Sequence, residues 1–224
     1  MAVKQSEIKF YTLGEEIFNS VSHGVGAGLS IAGCVVAVVK AALNGGAMDV
    51  CRAAIFGAML IILYLMSTLY HAITNDTAKR VFRVLDHCTI FLLIAGTYTP
   101  YTLISLRGQN AALGWSIFGI LWGLTAFGVV LNAVSLKKFK VISMILYIAM
   151  GWCVVIVLKP LYEAIGLGGL LFLLIGGLCY TAGIFFFSSK IKYMHAIWHL
   201  FVLAGSILHY FSILLYVIPD RIGF

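Results

Sequence analysis

Apolar residues run along the chain in seven long stretches, roughly 17 to 43, 53 to 73, 86 to 106, 111 to 133, 141 to 159, 166 to 188 and 195 to 218, with short polar connectors between them. A helix that crosses the hydrocarbon core of a bilayer needs about 20 mostly apolar residues, which each stretch meets or nearly meets. The pattern predicts an all-α, seven-transmembrane helix bundle. Pro160 and Pro219 fall where the fifth and seventh stretches stop. Pro100 lies inside the third, within Thr97-Tyr98-Thr99-Pro100-Tyr101, and predicts a packing kink whose freed backbone groups the Thr hydroxyls can take up. In the first stretch the Gly24-x-x-x-Gly28 spacing predicts close approach of a neighbouring helix within the bundle. That stretch is too long for a signal-peptide core and lacks a small-residue cleavage site, so it reads as a retained helix.

Ahead of it, residues 1 to 16 mix Ile8, Phe10, Tyr11 and Leu13 with Lys4, Lys9, Glu15 and Glu16, a composition suited to an interfacial segment. The domain division is therefore 1 to 16 as a cytoplasmic interfacial segment, 17 to 218 as the membrane domain and 219 to 224 as an external tail. Orientation follows from the basic residues. Lys4, Lys9, Lys79, Arg80, Arg83, Lys137, Lys138, Lys140, Lys190 and Lys192 fall on one side. Lys40, Arg52, Arg107, Lys159 and Arg221 fall on the other. The positive-inside rule then predicts a cytoplasmic N-terminus and an external C-terminus.

Composition agrees: 62% of the 224 residues are hydrophobic and 10% charged, with a mean hydropathy of +1.05, which excludes an ordinary soluble domain. The net charge of +7 does not point to nucleic acid, because the basic residues are scattered through short loops as topology determinants. Cys34, Cys51, Cys88, Cys153 and Cys179 form no CxxC pair and sit mostly in apolar runs, so neither a disulfide nor a metal role is assigned to them.

Within this topology the ionisable residues gather at one leaflet. His195 and His199, in His-Ala-Ile-Trp-His, stand four apart and share a helix face, the second about 6 Å deeper than the first. His71 ends the second stretch with Ser67 one turn deeper, Asp86 opens the third, and Glu16, Asn19 and His23 share a face at the start of the first. Charged or ionisable side chains in hydrocarbon cost on the order of 2.5 to 3.5 kcal/mol each on insertion scales, so several gathered at one depth call for a partner. Three histidines with a fourth position open to water is a catalytic zinc pattern. A hydrogen-bonded or proton-relay network without metal is the competing reading. His87 is expected to face elsewhere, at the interface, while Ser206 and His209 read as packing or cavity-lining.

Taken together, Glu16-Ile17-Phe18-Asn19-Ser20-Val21-Ser22-His23-Gly24, Ser67-x-x-x-His71, Asp86 and His195-x-x-x-His199 resemble the hemolysin III family, the bacterial branch of the progestin and adiponectin receptor family. The last three motifs are also the pattern of a wider superfamily that includes the alkaline ceramidases. The resemblance implies a seven-helix bundle with zinc on His71, His195 and His199, and a water near Asp86 and Ser67. It further implies lipid hydrolysis and a role in membrane lipid homeostasis, and the family's name implies cell lysis.

Three functions stay open on the sequence. One is a zinc-dependent lipid amide or ester hydrolase, with Asp86 as proton acceptor, Ser67 holding the water or oxyanion, and an acyl-chain substrate entering from the bilayer. Another is a non-catalytic sensor or receptor-like protein in which zinc clamps helices; the third is a membrane-lytic protein. The expected surroundings are the bilayer and a lipid substrate; nothing in the chain sets an oligomeric state.

Overall fold

The structure is a computed structural model that describes residues 11 to 189 and 191 to 220. The described residues form helices and short connectors, with no strand among them. The helices are α1 (Leu13–Asn44), α2 (Ala47–Ala72), α3 (Asp76–Pro100), α4 (Ala111–Gly151), α5 (Leu158–Ser188) and α6 (Met194–Ser212). A π-helical segment, Tyr101–Leu106, prolongs α3, a 3-10 segment, Trp152–Val157, joins α4 to α5, and a second π-helical segment, Ile213–Val217, ends α6.

The helices begin before the apolar stretches because polar residues cap them. Glu15 accepts the Thr12 N–H at 2.9 Å and the Thr12 hydroxyl at 2.7 Å, which starts α1 at Leu13 instead of 17. Asn75 accepts from the N–H groups of Thr77 and Ala78 and starts α3 ten residues before Asp86. The interfacial segment expected over 1 to 16 lies outside the described residues through position 10, as do Lys190 and Arg221.

Five stretches among the described residues are long and apolar enough to cross a membrane, not seven. The difference lies in Ala111–Ser188, a run of 78 residues. Helix resumes directly after each interruption of this run. Ser135 alone is extended between the halves of α4 (φ −168°, ψ 106°), and its hydroxyl accepts from Lys138 N at 3.2 Å, the bond of a helix N-cap. Gly166 breaks α5 with φ 65°, a left-handed conformation that glycine adopts without Cβ strain. Pro160 does not end a helix as expected. It occupies the first turn of α5, where proline removes no intrahelical bond.

At Pro100 the backbone changes from α to π, and the Thr99 and Thr102 hydroxyls donate to the carbonyls of Ala95 (2.8 Å) and Tyr98 (2.9 Å). Gly24 and Gly28 are not the contact pair of α1. A Cβ on Gly28 would meet nothing within 4 Å, whereas one on Gly26 would stand 2.7 Å from the Tyr64 ring and one on Gly33 3.0 Å from the Tyr210 ring. The close approach is helix to aromatic ring, at Gly26 and Gly33 instead of Gly24 and Gly28. Large apolar side chains such as Val21, Val25, Phe127 and Phe185 are exposed, while Asn19, His23, Ser67, His71, Asp86 and His199 are buried. Apolar outside and polar inside is the arrangement of a multi-pass membrane protein.

Candidate metal centre

The last turn of α2 and the first two turns of α6 bring three histidines together. One ring nitrogen from each of His71, His195 and His199 lies within 4.8 Å of the other two, and all three residues are buried. His195 Nε2 and His199 Nε2 are 3.2 Å apart; two nitrogens held about 2.0–2.1 Å from a tetrahedral zinc stand about 3.3–3.4 Å apart.

The other ring nitrogens of two of these histidines are already engaged, which sets their tautomers. His71 Nδ1 is 2.6 Å from Glu16 Oε2, leaving Nε2 buried with no hydrogen-bond partner among the described residues. His199 Nδ1 is 3.2 Å from the Asn19 carbonyl and 3.3 Å from Ser22 Oγ, so Nε2 again faces inward. Metal-bound histidines are characteristically tied in this way, one nitrogen on a carboxylate or carbonyl and the other on the ion. The donor set fits a metal ion.

Glu16, Asn19 and His23, the three first-helix positions named from the sequence, each lie against a histidine of the trio. Glu16 bridges His71 to Lys79, whose Nζ is 3.0 Å from Glu16 Oε1 and also donates to the carbonyls of Tyr70 (2.9 Å) and Ile73 (3.3 Å) at the end of α2. His23 stacks flat on His199, centroids 3.5 Å apart at 10°, and its Nδ1 is 2.7 Å from Ser67 Oγ. Ser67 also interacts with the Asp86 carboxylate. Asp86 is buried, with one oxygen 3.6 Å from His87 Nδ1, and it is not a member of the ligand trio among the described residues. Ser67 and Asp86 thus connect to the histidine group through His23.

Several participants were not legible. Lys79 reads from sequence as a topology charge, yet it is 7% exposed and holds Glu16. Tyr11, assigned to an interfacial segment, stacks on His195 with centroids 4.9 Å apart. Glu15 accepts the N–H of Tyr193, which caps α6 in a left-handed conformation (φ 63°), and so ties the start of α1 to the helix that carries His195 and His199. Tyr193 has no Gly or Asn character that would announce such a conformation. His87 does not face away, since it borders a cavity together with Asp86 and His23.

That cavity, about 170 Å³, follows α3 from Asp86 past Leu93 and Thr97 to Tyr101, an axial distance of roughly 22 Å at 1.5 Å per residue. The second half of α4 (Met144, Tyr147, Ile148) and α5 (Leu174, Gly177, Ile184) border it from either side, and Trp152 Nε1 donates to Thr181 Oγ1 at 3.0 Å where the two segments meet. His209 also borders it, with Nε2 donating to the Leu173 carbonyl at 2.9 Å, and Ser206 is packed between Tyr64 and Tyr180.

A multi-pass helical bundle with a three-histidine group on two of its helices defines the class. The model of the family described as Haemolysin-III related matches residues 11–210, and the chain belongs to that family. It is 43% identical over 206 residues to Hemolysin-3 of Bacillus cereus (92% of this chain, 93% of the relative). It is 41% identical over 209 residues to a Hemolysin-3 homolog of Bacillus subtilis (93% and 97%). At greater distance it is 31% identical over 195 residues to the human Monocyte to macrophage differentiation factor (82% and 79%). No solved structure matches the chain.

Proposed function

We propose that the protein is a zinc-dependent hydrolase of membrane lipids, acting on an acyl amide or ester from the cytoplasmic leaflet. The observation that carries this is the pairing of an oriented three-histidine group with a buried carboxylate joined to it through Ser67 and His23, and an apolar cavity bordered by that carboxylate and His23. His71, His195 and His199 would hold the ion. Zinc bound there would supply a water whose pKa is lowered toward about 7, and would polarise the substrate carbonyl.

The chain's own residues do the remainder. Asp86 accepts the proton of the attacking water and returns it to the leaving group. Ser67, in contact with both His23 and Asp86, holds the water or the developing oxyanion. Glu16 and the Asn19 carbonyl keep His71 and His199 in the tautomers that present Nε2. The acyl chain lies in the cavity along α3 and enters sideways between the second half of α4 and α5.

In this reading Ala111–Ser188 makes three passes, divided at Ser135 and Gly166. A straight helix of that length would measure about 117 Å against a hydrocarbon core of about 30 Å. Seven passes result, with the N-terminus cytoplasmic and the C-terminus external, in agreement with the distribution of Lys and Arg.

The experiment is elemental analysis of the purified chain joined to a lipid-turnover assay over a broad panel of amides and esters. About one zinc per chain and turnover of at least one class are expected. Zinc without any turnover would favour a metal-clamped sensor, and the absence of transition metal from protein prepared without chelators would remove the zinc site itself. Lysis of foreign membranes, which the name Hemolysin-3 of the Bacillus cereus relative denotes, is tested alongside by release of dye from vesicles.

A further inference from the structure

The cavity is polar at its deep end, where an apolar lining would serve a plain hydrocarbon chain. Tyr101, Tyr180 and His209 border it there. An ionisable residue inside the membrane is costly and marks a functional site by default, and the chemistry proposed at the other end does not use this histidine. Because His209 Nε2 donates to the Leu173 carbonyl, the neutral ring has Nδ1 as an acceptor. No hydrogen bond to that Nδ1 exists among the described residues.

Donors are left over beside it. Tyr64 donates to Ser206 Oγ at 2.7 Å, and the Tyr180 hydroxyl oxygen is 2.7 Å from the same atom. The second contact uses one proton, either that of Ser206 or that of Tyr180, and the other proton finds no acceptor among the described residues. The Tyr101 hydroxyl, on a residue 1% exposed, faces the Ser212 side chain but makes no hydrogen bond of good geometry among the described residues. One acceptor, one donor and one group able to act as both therefore converge on the far part of an otherwise apolar cavity.

We propose that these groups form a second polar subsite that takes a hydroxyl carried on the outer part of an acyl chain, so that the preferred ligand is a hydroxylated chain. A hydroxyl is the small group that donates and accepts at once, as this set requires. Ten residues of α6 separate His199 from His209, about 15 Å along the axis, and half of a hydrocarbon core is about 15 Å. A chain anchored at the histidine group thus reaches the subsite with its outer part. The inference rests on the reading of the cavity as the chain chamber of the hydrolase.

The test is equilibrium dialysis of the full-length, zinc-loaded protein in detergent against radiolabelled palmitate, ω-hydroxypalmitate, stearate and a mid-chain hydroxystearate. At least one hydroxylated chain is expected to bind about tenfold tighter than its unsubstituted parent, the scale of one or two net hydrogen bonds. Tyr101→Phe and His209→Leu should each bring the affinity of the hydroxylated chain down toward that of its parent, abolishing the preference, while the parent binds as well or better to the more apolar lining. Tyr101→Phe removes a single oxygen, so the test survives a His209→Leu chain that fails to fold. Equal binding of hydroxylated and parent chains to the wild type would overturn the subsite and assign these groups to water, leaving the hydrolase reading standing. A preference that persists in the Tyr101→Phe chain would overturn it as well. Binding of no chain at all would overturn both the subsite and the chain chamber.

Discussion

Two buried polar networks sit at neighbouring positions in the bundle, and they differ in whether they close. Between α3 and α4, Asn132 donates to the His87 carbonyl (3.2 Å) and to Tyr147 Oη (2.9 Å), accepts from Ser143 (2.7 Å), and Tyr147 donates to the same His87 carbonyl (2.7 Å). Every side-chain polar atom of Asn132, Ser143 and Tyr147 has a partner. Between α1, α2 and α6, by contrast, His71 Nε2, His23 Nε2 and Asn19 Oδ1 are buried without a hydrogen-bond partner among the described residues. An unsatisfied buried polar atom costs about 1–3 kcal/mol. A closed network therefore explains itself as structure, and an open one points to a ligand.

The largest effect should come from taking the open network's ligands away. His195→Ala/His199→Ala is expected to reduce zinc from about one per chain to a trace, read by elemental analysis of protein purified in zinc-containing buffer, because one histidine cannot replace a three-ligand set. Full retention of metal would show that the ion, if present, sits elsewhere.

Asp86→Asn separates catalysis from metal binding. The amide keeps the shape of the carboxylate and the three histidines remain, so zinc should stay bound when supplied in excess, while lipid turnover falls by about 10²- to 10⁴-fold, the usual contribution of a general base. A variant that holds zinc and turns lipid over at the parent rate would remove Asp86 from the proposed chemistry.

Next in size is Lys79, and it shows where sequence reading stopped. The histidines, Asp86, Ser67 and the Glu16/Asn19/His23 face were legible because helical spacing and depth can be counted along a chain. Lys79, Tyr11 and Glu15 were not, since their roles depend on how the ends of different helices meet. Lys79 reaches back over the α2 terminus, and Glu15 reaches across to Tyr193, contacts that no periodicity encodes. At Ala111–Ser188 the reverse holds: three stretches are legible in the sequence, and the backbone runs on as one. Hydropathy drops at the Lys137–Lys140 connector, yet those residues are good helix formers and the backbone stays helical around a single extended serine. For Lys79→Met the expectation is a 10- to 100-fold weaker affinity for zinc, measured by competition with a chelator, as for loss of other outer partners of metal-bound histidine. Lys79→Arg should keep part of it. An unchanged affinity in Lys79→Met would reduce the residue to a cap on α2.

The smallest effect, and the one that sharpens the comparison most, belongs to the closed network. Asn132→Ala leaves the Ser143 hydroxyl without its acceptor and removes one donor from the His87 carbonyl, which keeps Tyr147. A cost of about 1–3 kcal/mol in stability follows from one orphaned buried group, visible as a lower unfolding temperature in detergent. Zinc affinity should not move, since none of these atoms touches the histidine group. The route by which it could move is short: His87, whose carbonyl the network holds, lies beside Asp86, with 3.6 Å between ring nitrogen and carboxylate oxygen. If Asn132→Ala lowers zinc affinity as much as it lowers stability, the two networks act as one through His87, and the distinction between a closed structural network and an open binding one fails for this bundle.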